Sequence, residues 1–129
     1  MILIDTSVWI AAMSLRPPFR IEDLVDLNEI VTCLPIIQEV LQGFDDDYLF
    51  EEARDSLYGL PAIEDPLTGE LYDEAISIFR TARKRGVTIR SSVDCLIAAC
   101  AIRNGVAVLH RDRDFDQLAR LGLLQCRRV

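Results

Sequence analysis

Two short apolar runs that end in carboxylates constrain this chain more than anything else in it. Met1-Ile2-Leu3-Ile4 leads directly into Asp5, and Thr6-Ser7-Val8-Trp9-Ile10 follows. An apolar, β-branched run of this length reads as a strand buried on both faces. The same grammar returns near the other end, where Val106-Ala107-Val108-Leu109 leads into His110-Arg111-Asp112-Arg113-Asp114-Phe115. Open α/β sheets bind ligands beyond the carboxyl ends of their strands. Two strands that end in acids therefore predict one crevice lined with oxygen ligands. Such a lining suits a hard divalent cation, Mg2+ or Mn2+.

A chain of 129 residues supports one compact domain, residues 1–129, with a substantial core, since half of its residues are apolar. The longest apolar run, Cys95 to Ile102, has 8 residues and is too short to span a membrane. Asp5 interrupts the first apolar stretch and no basic segment precedes it, which is wrong for a signal peptide. The expected location is the cytoplasm. Cys33, Cys95, Cys100 and Cys126 form no C-x-x-C pair and read as buried free thiols in a reducing compartment. The net charge of −7 argues against a passive nucleic-acid coat. It does not exclude an enzyme on nucleic acid, because acids that hold a metal add negative charge which the ion partly neutralises.

The pattern along the chain alternates strands with helices. A strand over about residues 1–5 precedes a helix from Thr6 or Ser7 to about Met13, which Arg16-Pro17-Pro18-Phe19 breaks. Glu29 to Cys33 reads as a second strand, and Pro35 opens a helix that Gly43 ends. Asp45-Asp46-Asp47 starts another helix running to about Leu57. Leu60-Pro61-Ala62-Ile63 reads as a short edge strand, and Asp65 to Gly69 as a turn. Leu71, Ala75, Ile78, Phe79 and Ala82 set a helical period from Glu70 to Arg85, which Gly86 terminates. Ser91-Ser92 opens an apolar helix from Val93 to Arg103, closed by Asn104-Gly105. A strand over 106–109, a helix from about Asp114 to Leu121 and a final strand over 124–127 complete the chain. This alternation predicts a mainly parallel sheet covered on both faces.

Each acid has a plain reading beside its chemical one. Asp94 stands in the first turn of a helix whose next eight residues are all apolar. It fits a capping box with Ser91, and it equally fits a buried carboxylate whose counter-charge is a metal. Asp114 reads as the N-cap of the helix beginning at Phe115, leaving Asp112 to face the crevice. Asp116 reads as solvated, and Asp5 doubles as a cap for the helix after it. Glu39 lies toward the polar side of a helix whose apolar stripe is Ile36, Ile37, Val40 and Leu41, so locally it reads as solvated. His110 is the only histidine and reads as structural. No nucleophile elbow, P-loop or G-x-G-x-x-G motif occurs.

Taken in order, these pieces resemble the PIN-domain ribonucleases, and specifically the VapC toxins of type II toxin–antitoxin pairs. The resemblance rests on Ile4 to Ile10, Ile37-Gln38-Glu39-Val40-Leu41-Gln42-Gly43, Arg90 to Ala99 and Leu109 to Phe115, which together span nearly the whole chain. It implies a PIN-like three-layer α/β/α sandwich with a central, mainly parallel sheet of four to five strands. It also implies an Mg2+-dependent endoribonuclease, Mn2+ being a substitute, whose acids meet in one pocket. Carried over by position, Asp5 and Asp94 are the leading metal ligands, Glu39 and Asp112 complete a catalytic quartet, and Asp114 lies beside it. Arg90 and the hydroxyls of Thr6 and Ser7 match positions that orient acids or phosphate. Leu109-His110-Arg111 stands where many relatives carry a Thr before the final acids.

The implied partners are a VapB-type antitoxin whose tail fills an apolar and acidic groove, a structured RNA such as a transfer RNA or ribosomal RNA loop, and a second copy of the chain in a homodimer. Activated water would leave a 5′-phosphate and a 3′-hydroxyl. Arg83-Lys84-Arg85 offers either helix-dipole compensation or phosphate contact, and Arg111 and Arg113 are further phosphate candidates. The alternative is a catalytically silent PIN domain that acts as a binding or assembly module, against which the four intact acids speak. An aspartyl phosphatase ranks lower, because Asp5 is followed by Thr6-Ser7 and not by D-x-D.

Overall fold

In a computed structural model describing residues 1–129, four parallel strands form the centre: β1 (Ile2–Ile4), β2 (Ile30–Val31), β3 (Ala107–His110) and β4 (Cys126–Arg128), in the order β2-β1-β3-β4. Leu3 pairs with Val31 on one side and Val108 on the other, which sets the register of β1 against both of its neighbours. Consecutive strand residues point to opposite faces. Leu3 and Ile4 are both fully buried, as are Val108 and Leu109, so both faces of the sheet are covered. This is the α/β sandwich expected.

Seven α-helices surround the sheet: α1 (Thr6–Ala12), α2 (Ile21–Leu24), α3 (Leu34–Gln42), α4 (Asp47–Tyr58), α5 (Gly69–Lys84), α6 (Ser92–Asn104) and α7 (Arg113–Arg120). Their starts follow local chemistry. Asp46 accepts the amide of Leu49 and begins α4, and Thr68 accepts that of Leu71 and begins α5 just before Glu70. α6 is buried from Asp94 through Ala101, and Gly105 closes it in the left-handed region at φ 63°. α5 packs along α6, and Arg103 of α6 pairs with Glu64 and Glu74 at 2.9 Å each. Cys33, Cys95 and Cys100 are buried free thiols as expected, whereas Cys126 is half-buried.

Several boundaries depart from the sequence pattern. The segment 60–63 forms only a parallel bridge between Thr32 and Ala62 beside β2. Pro61 lacks an N–H, and the contact is limited to Thr32 N–H to Pro61 O at 2.9 Å and Ile63 N–H to Thr32 O at 2.8 Å. The second strand is shorter than 29–33, because a 3-10 turn over Leu27–Glu29 precedes it and Cys33 begins the next helix. α2 carries no strong periodicity in its four residues and went unread. α7 starts one residue earlier than expected, since Asp112, not Asp114, is its cap.

Two glycines separate conformation from packing. A Cβ at either Gly105 or Gly69 would meet nothing within 4 Å, but only Gly105 has positive φ. Gly105→Ala should destabilise by about 1 kcal/mol, while Gly69→Ala should stabilise by about 0.5 kcal/mol. Urea unfolding midpoints of the two variants check this, and equal shifts in one direction would contradict it.

Candidate functional site

The crevice forms where the strand order reverses. β1 and β3 are neighbours, and the chain leaves β1 toward β2 on one side and β3 toward β4 on the other. Asp5 follows β1, and Asp112 and Asp114 follow β3. α6 leads back to the start of β3, so its first turn, with Asp94, lies at the same end. Ligand oxygens of Asp94, Asp112 and Asp114 lie within 4.8 Å of one another. Asp5 and Glu39 stand close enough for charge repulsion with Asp112, and Asp5 also repels Asp94. Asp94, Asp112 and Asp114 thus form one cluster, with Asp5 and Glu39 within electrostatic reach of it.

Small neighbours hold each acid. Asp5 Oδ2 accepts the backbone N–H and the hydroxyl of Ser7, capping α1. The Ser7 hydroxyl oxygen in turn accepts the amide of Arg111 at 3.0 Å, tying the β1 end to the β3 end. Thr6 Oγ1 donates to Glu39 Oε1 at 2.8 Å. Glu39 is therefore half-buried and bonded, not solvated as its helix pattern implied. Asp112 Oδ1 accepts the Asp114 amide at 2.8 Å and caps α7. Asp114 is the buried one, taking the backbone amides of Arg90 and Ser91 at 3.2 and 3.1 Å. The capping role expected for Asp114 falls to Asp112, which also stays in the cluster, because the donors to Asp114 come from a segment more than twenty residues earlier and leave no local trace. Ser91 does cap α6, through a 3.4 Å bond from the Asp94 amide, but its own amide goes to Asp114, so the capping box is only half formed and the Asp94 carboxylate stays buried.

Arg90 reaches Asp114 Oδ1 at 3.4 Å and Asp112 Oδ1 at 3.7 Å. His110 is buried, and its Nδ1 accepts the Asp112 amide at 3.2 Å, which fixes the turn entering the crevice. Burial holds its pKa below the usual histidine value. Asp116, expected to be solvated, is half-buried between His110 at 3.8 Å and Arg128 at 3.5 Å. Between α3, α5 and α6 runs a cavity of about 600 Å³ that includes Glu39, Tyr72, Ile76, Phe79, Val93 and Leu96, so an apolar groove opens beside the acids. Its walls come from three helices far apart in sequence, which is why no single run of residues announced it.

The electrostatics record the crowding. Burial, then the hydrogen bond shared with Asp114, then the charges of Asp5, Asp112 and Asp114 push the Asp94 pKa up to about 9. Burial also raises Asp5 and Glu39 against the lowering effect of their hydroxyl partners. Asp114 is lowered: burial opposes its charge, but the Arg90 and Ser91 amides, the Asp94 hydrogen bond and the Arg90 guanidinium outweigh it. Between the two, Asp94 is pushed toward its protonated form and Asp114 toward its ionised one. Asp5 Oδ1 and Asp94 Oδ2 are buried with no hydrogen-bond partner at all. Native proteins rarely leave such acceptors orphaned. An all-oxygen set with two unmet acceptors and excess negative charge fits a hard divalent cation.

A family model for the PIN domain matches residues 2–121. The VapC ribonuclease Mb1587 of Mycobacterium bovis is 40% identical to this chain, the alignment covering 97% of this chain and 96% of the relative. Ribonuclease VapC11 of Mycobacterium tuberculosis matches equally well, at 40% identity over the same shares. Among solved structures, VapBC2 of Rickettsia felis bound to a DNA fragment from its promoter superposes with a TM-score of 0.76, covering 100% of this chain and 99% of that one at 16% identity. The chain belongs to the PIN-domain family, among its VapC members.

The raised Asp94 pKa has a thermodynamic consequence. Below about pH 4 both folded and unfolded chains hold this proton. Above it the unfolded chain releases the proton while the folded one keeps it, so stability falls as pH rises, until the folded pKa of about 9 is passed. Histidine protonation acts only at lower pH, where the depressed pKa of His110 opposes this trend. In metal-free buffer, unfolding free energy should drop between about pH 7 and pH 8.5 by roughly 1.4 kcal/mol per pH unit. Asp94→Asn should flatten that slope, and an equally steep slope in the variant would refute the assignment.

Proposed function

We propose that this protein is an Mg2+-dependent endoribonuclease, the toxin of a VapBC-type pair, cleaving a structured RNA in the cytoplasm. The observation that carries the reading is the pair of buried, unpartnered carboxylate oxygens on Asp5 and Asp94, beside the cluster of Asp94, Asp112 and Asp114. Asp5, Asp94 and Asp112, with Glu39 and Asp114 beside them, would hold the cation, for which Mn2+ can substitute. When bound, the cation supplies charge neutralisation at the scissile phosphate and acidifies the attacking water.

The chain's own residues do the remaining work. Ser7 fixes the rotamer of Asp5, leaving Oδ1 for ligation, and Thr6 fixes Glu39 through one oxygen and leaves the other toward the crevice. Glu39, with its raised pKa, takes the proton of the water as that water attacks phosphorus. The P–O3′ bond breaks as the new P–O bond forms, and a solvent water protonates the departing O3′, leaving a 5′-phosphate and a 3′-hydroxyl. Arg90 keeps Asp112 and Asp114 in place and lies where a phosphate oxygen can share its guanidinium.

Relatives whose structures are named as VapBC complexes support a VapB-type antitoxin as partner. The groove between α3, α5 and α6 suits its tail: apolar along Tyr72, Ile76 and Phe79, and acidic at Glu39. A homodimer would bring two crevices to one RNA, and light scattering of the free protein reads this directly.

Purified protein should cut total cellular RNA into discrete fragments with Mg2+, and not with EDTA or as Asp94→Asn. Thr6→Val, which releases Glu39 but leaves every acid present, should lower activity or metal affinity about tenfold. Cleavage that survives both EDTA and the Asp94 substitution would defeat the reading. Metal-dependent RNA binding without any cleavage would instead favour a silent PIN domain acting as an assembly module.

A further inference from the structure

Arg111 stands at the rim of the crevice, and nothing in the proposed chemistry uses its side chain. Its backbone is fixed: the amide donates to the same Ser7 hydroxyl that donates to Asp5. The next residue, Asp112, is one of the clustered acids. The guanidinium lies over the ring of Phe19 at 5.5 Å from its centroid. Phe19 is half-buried and packed against the core, so the ring is a fixed seat. Arg111 is nevertheless exposed and joins none of the ion pairs in a chain with 21 acids. Arg90 and Arg103, in contrast, are each engaged with two or more carboxylates. Arg111 is thus a cation seated on Phe19, with its backbone anchored at the edge of the acid cluster and its N–H donors open to solvent.

The charge around it is not evenly spread. Residues 80–129 hold 11 of the 14 basic residues and 4 of the 21 acids, and three of those four acids are Asp94, Asp112 and Asp114. Arg113 is exposed in the first turn of α7, where the helix dipole disfavours a cation. This local preference, overridden beside the clustered acids, favours an anionic ligand on that side.

We infer that Arg111, seated on Phe19, binds the backbone phosphate next to the scissile one and so steers the RNA strand into the crevice. The inference rests on the nuclease reading and deepens it. Phosphate contacts of this kind set position without reading sequence. Phe19 is a positioning residue, acting through the guanidinium it supports. The acids repel a polyanion, and Arg111 supplies attraction where the strand must pass closest to them.

The test uses the full chain and a fluorescein-labelled RNA stem-loop, with Asp94→Asn present in every binding variant to hold cleavage off. Arg111→Ala and Arg111→Gln should each weaken binding about tenfold whatever the loop sequence, and lower the salt slope by roughly 0.7. Phe19→Leu should weaken binding about threefold alone and add nothing in the Arg111→Ala background. Arg54→Ala, which removes a guanidinium equally stacked on Tyr58 but set among the acids of α4, should change nothing. Melting temperature and its Mg2+ shift should stay at the parent's value in Arg111→Gln. Unchanged affinity and slope in both Arg111 variants, while the wild-type chain cleaves RNA, would overturn this inference and leave the nuclease reading standing. Absence of both binding and cleavage by the wild-type chain would overturn the two together.

Discussion

Five carboxylates placed in one crevice repel each other, and much of the surrounding structure answers that repulsion. Three helix N-termini are turned on the acids: Asp5 caps α1, Asp112 caps α7, and Asp94 lies in the first turn of α6. Each brings free amides and the positive end of a helix dipole, a contribution of about 0.3–1 kcal/mol at such positions. Arg90 adds one guanidinium shared between two acids. These compensations are modest beside the cost of burying charge, and the residual strain appears as the proton kept on Asp94 far above the usual carboxylate range. Under the proposed function, a divalent cation exchanged for that proton would relieve both the repulsion and the two orphaned oxygens. The acids are therefore tolerated by the fold at a stability cost, which is the usual mark of a site kept for its chemistry.

The topology explains why the acids meet. In a parallel sheet all strands end on one side, and helices returning across the faces begin on that side too. Acids at the ends of β1 and β3 and at the start of α6 must then converge, although they are spread from residue 5 to residue 114. That is why so much was legible from sequence. A strand that stops at an acid is a local pattern, and Asp5 and Asp112 could be placed from it. Asp94 could be placed because eight apolar residues after it leave a buried helix with a charge at its mouth.

What escaped the sequence depends on neighbours that are distant along the chain. Glu39 sits on the polar side of its own helix, and only the Thr6 hydroxyl, 33 residues away, turns it into the crevice. Without the family resemblance it would have been passed over. The cap of α7 is Asp112 and not Asp114: either one can cap a helix that starts near Phe115, and the choice is made by the Arg90 and Ser91 amides. Asp116 followed the same logic: its helix position reads as solvated, yet His110 and Arg128 close over it from two strands. The edge strand at 60–63 shrank to a bridge because a proline leaves too few donors to extend the ladder.

The groove and the crevice share Glu39, and this sharing links control to catalysis under the proposed function. A segment lying along Tyr72, Ile76 and Phe79 ends beside an acid whose pKa is already raised by burial and by its neighbours. If that segment carries a basic residue, it can neutralise the same charge that a cation would neutralise. Partner and cation then compete for one electrostatic role without needing the same atoms. The competition should be strongest for the partner's basic residue and nearly absent for its apolar ones, which only fill the cavity. An antitoxin built this way gains affinity from the apolar wall and inhibition from a single charge.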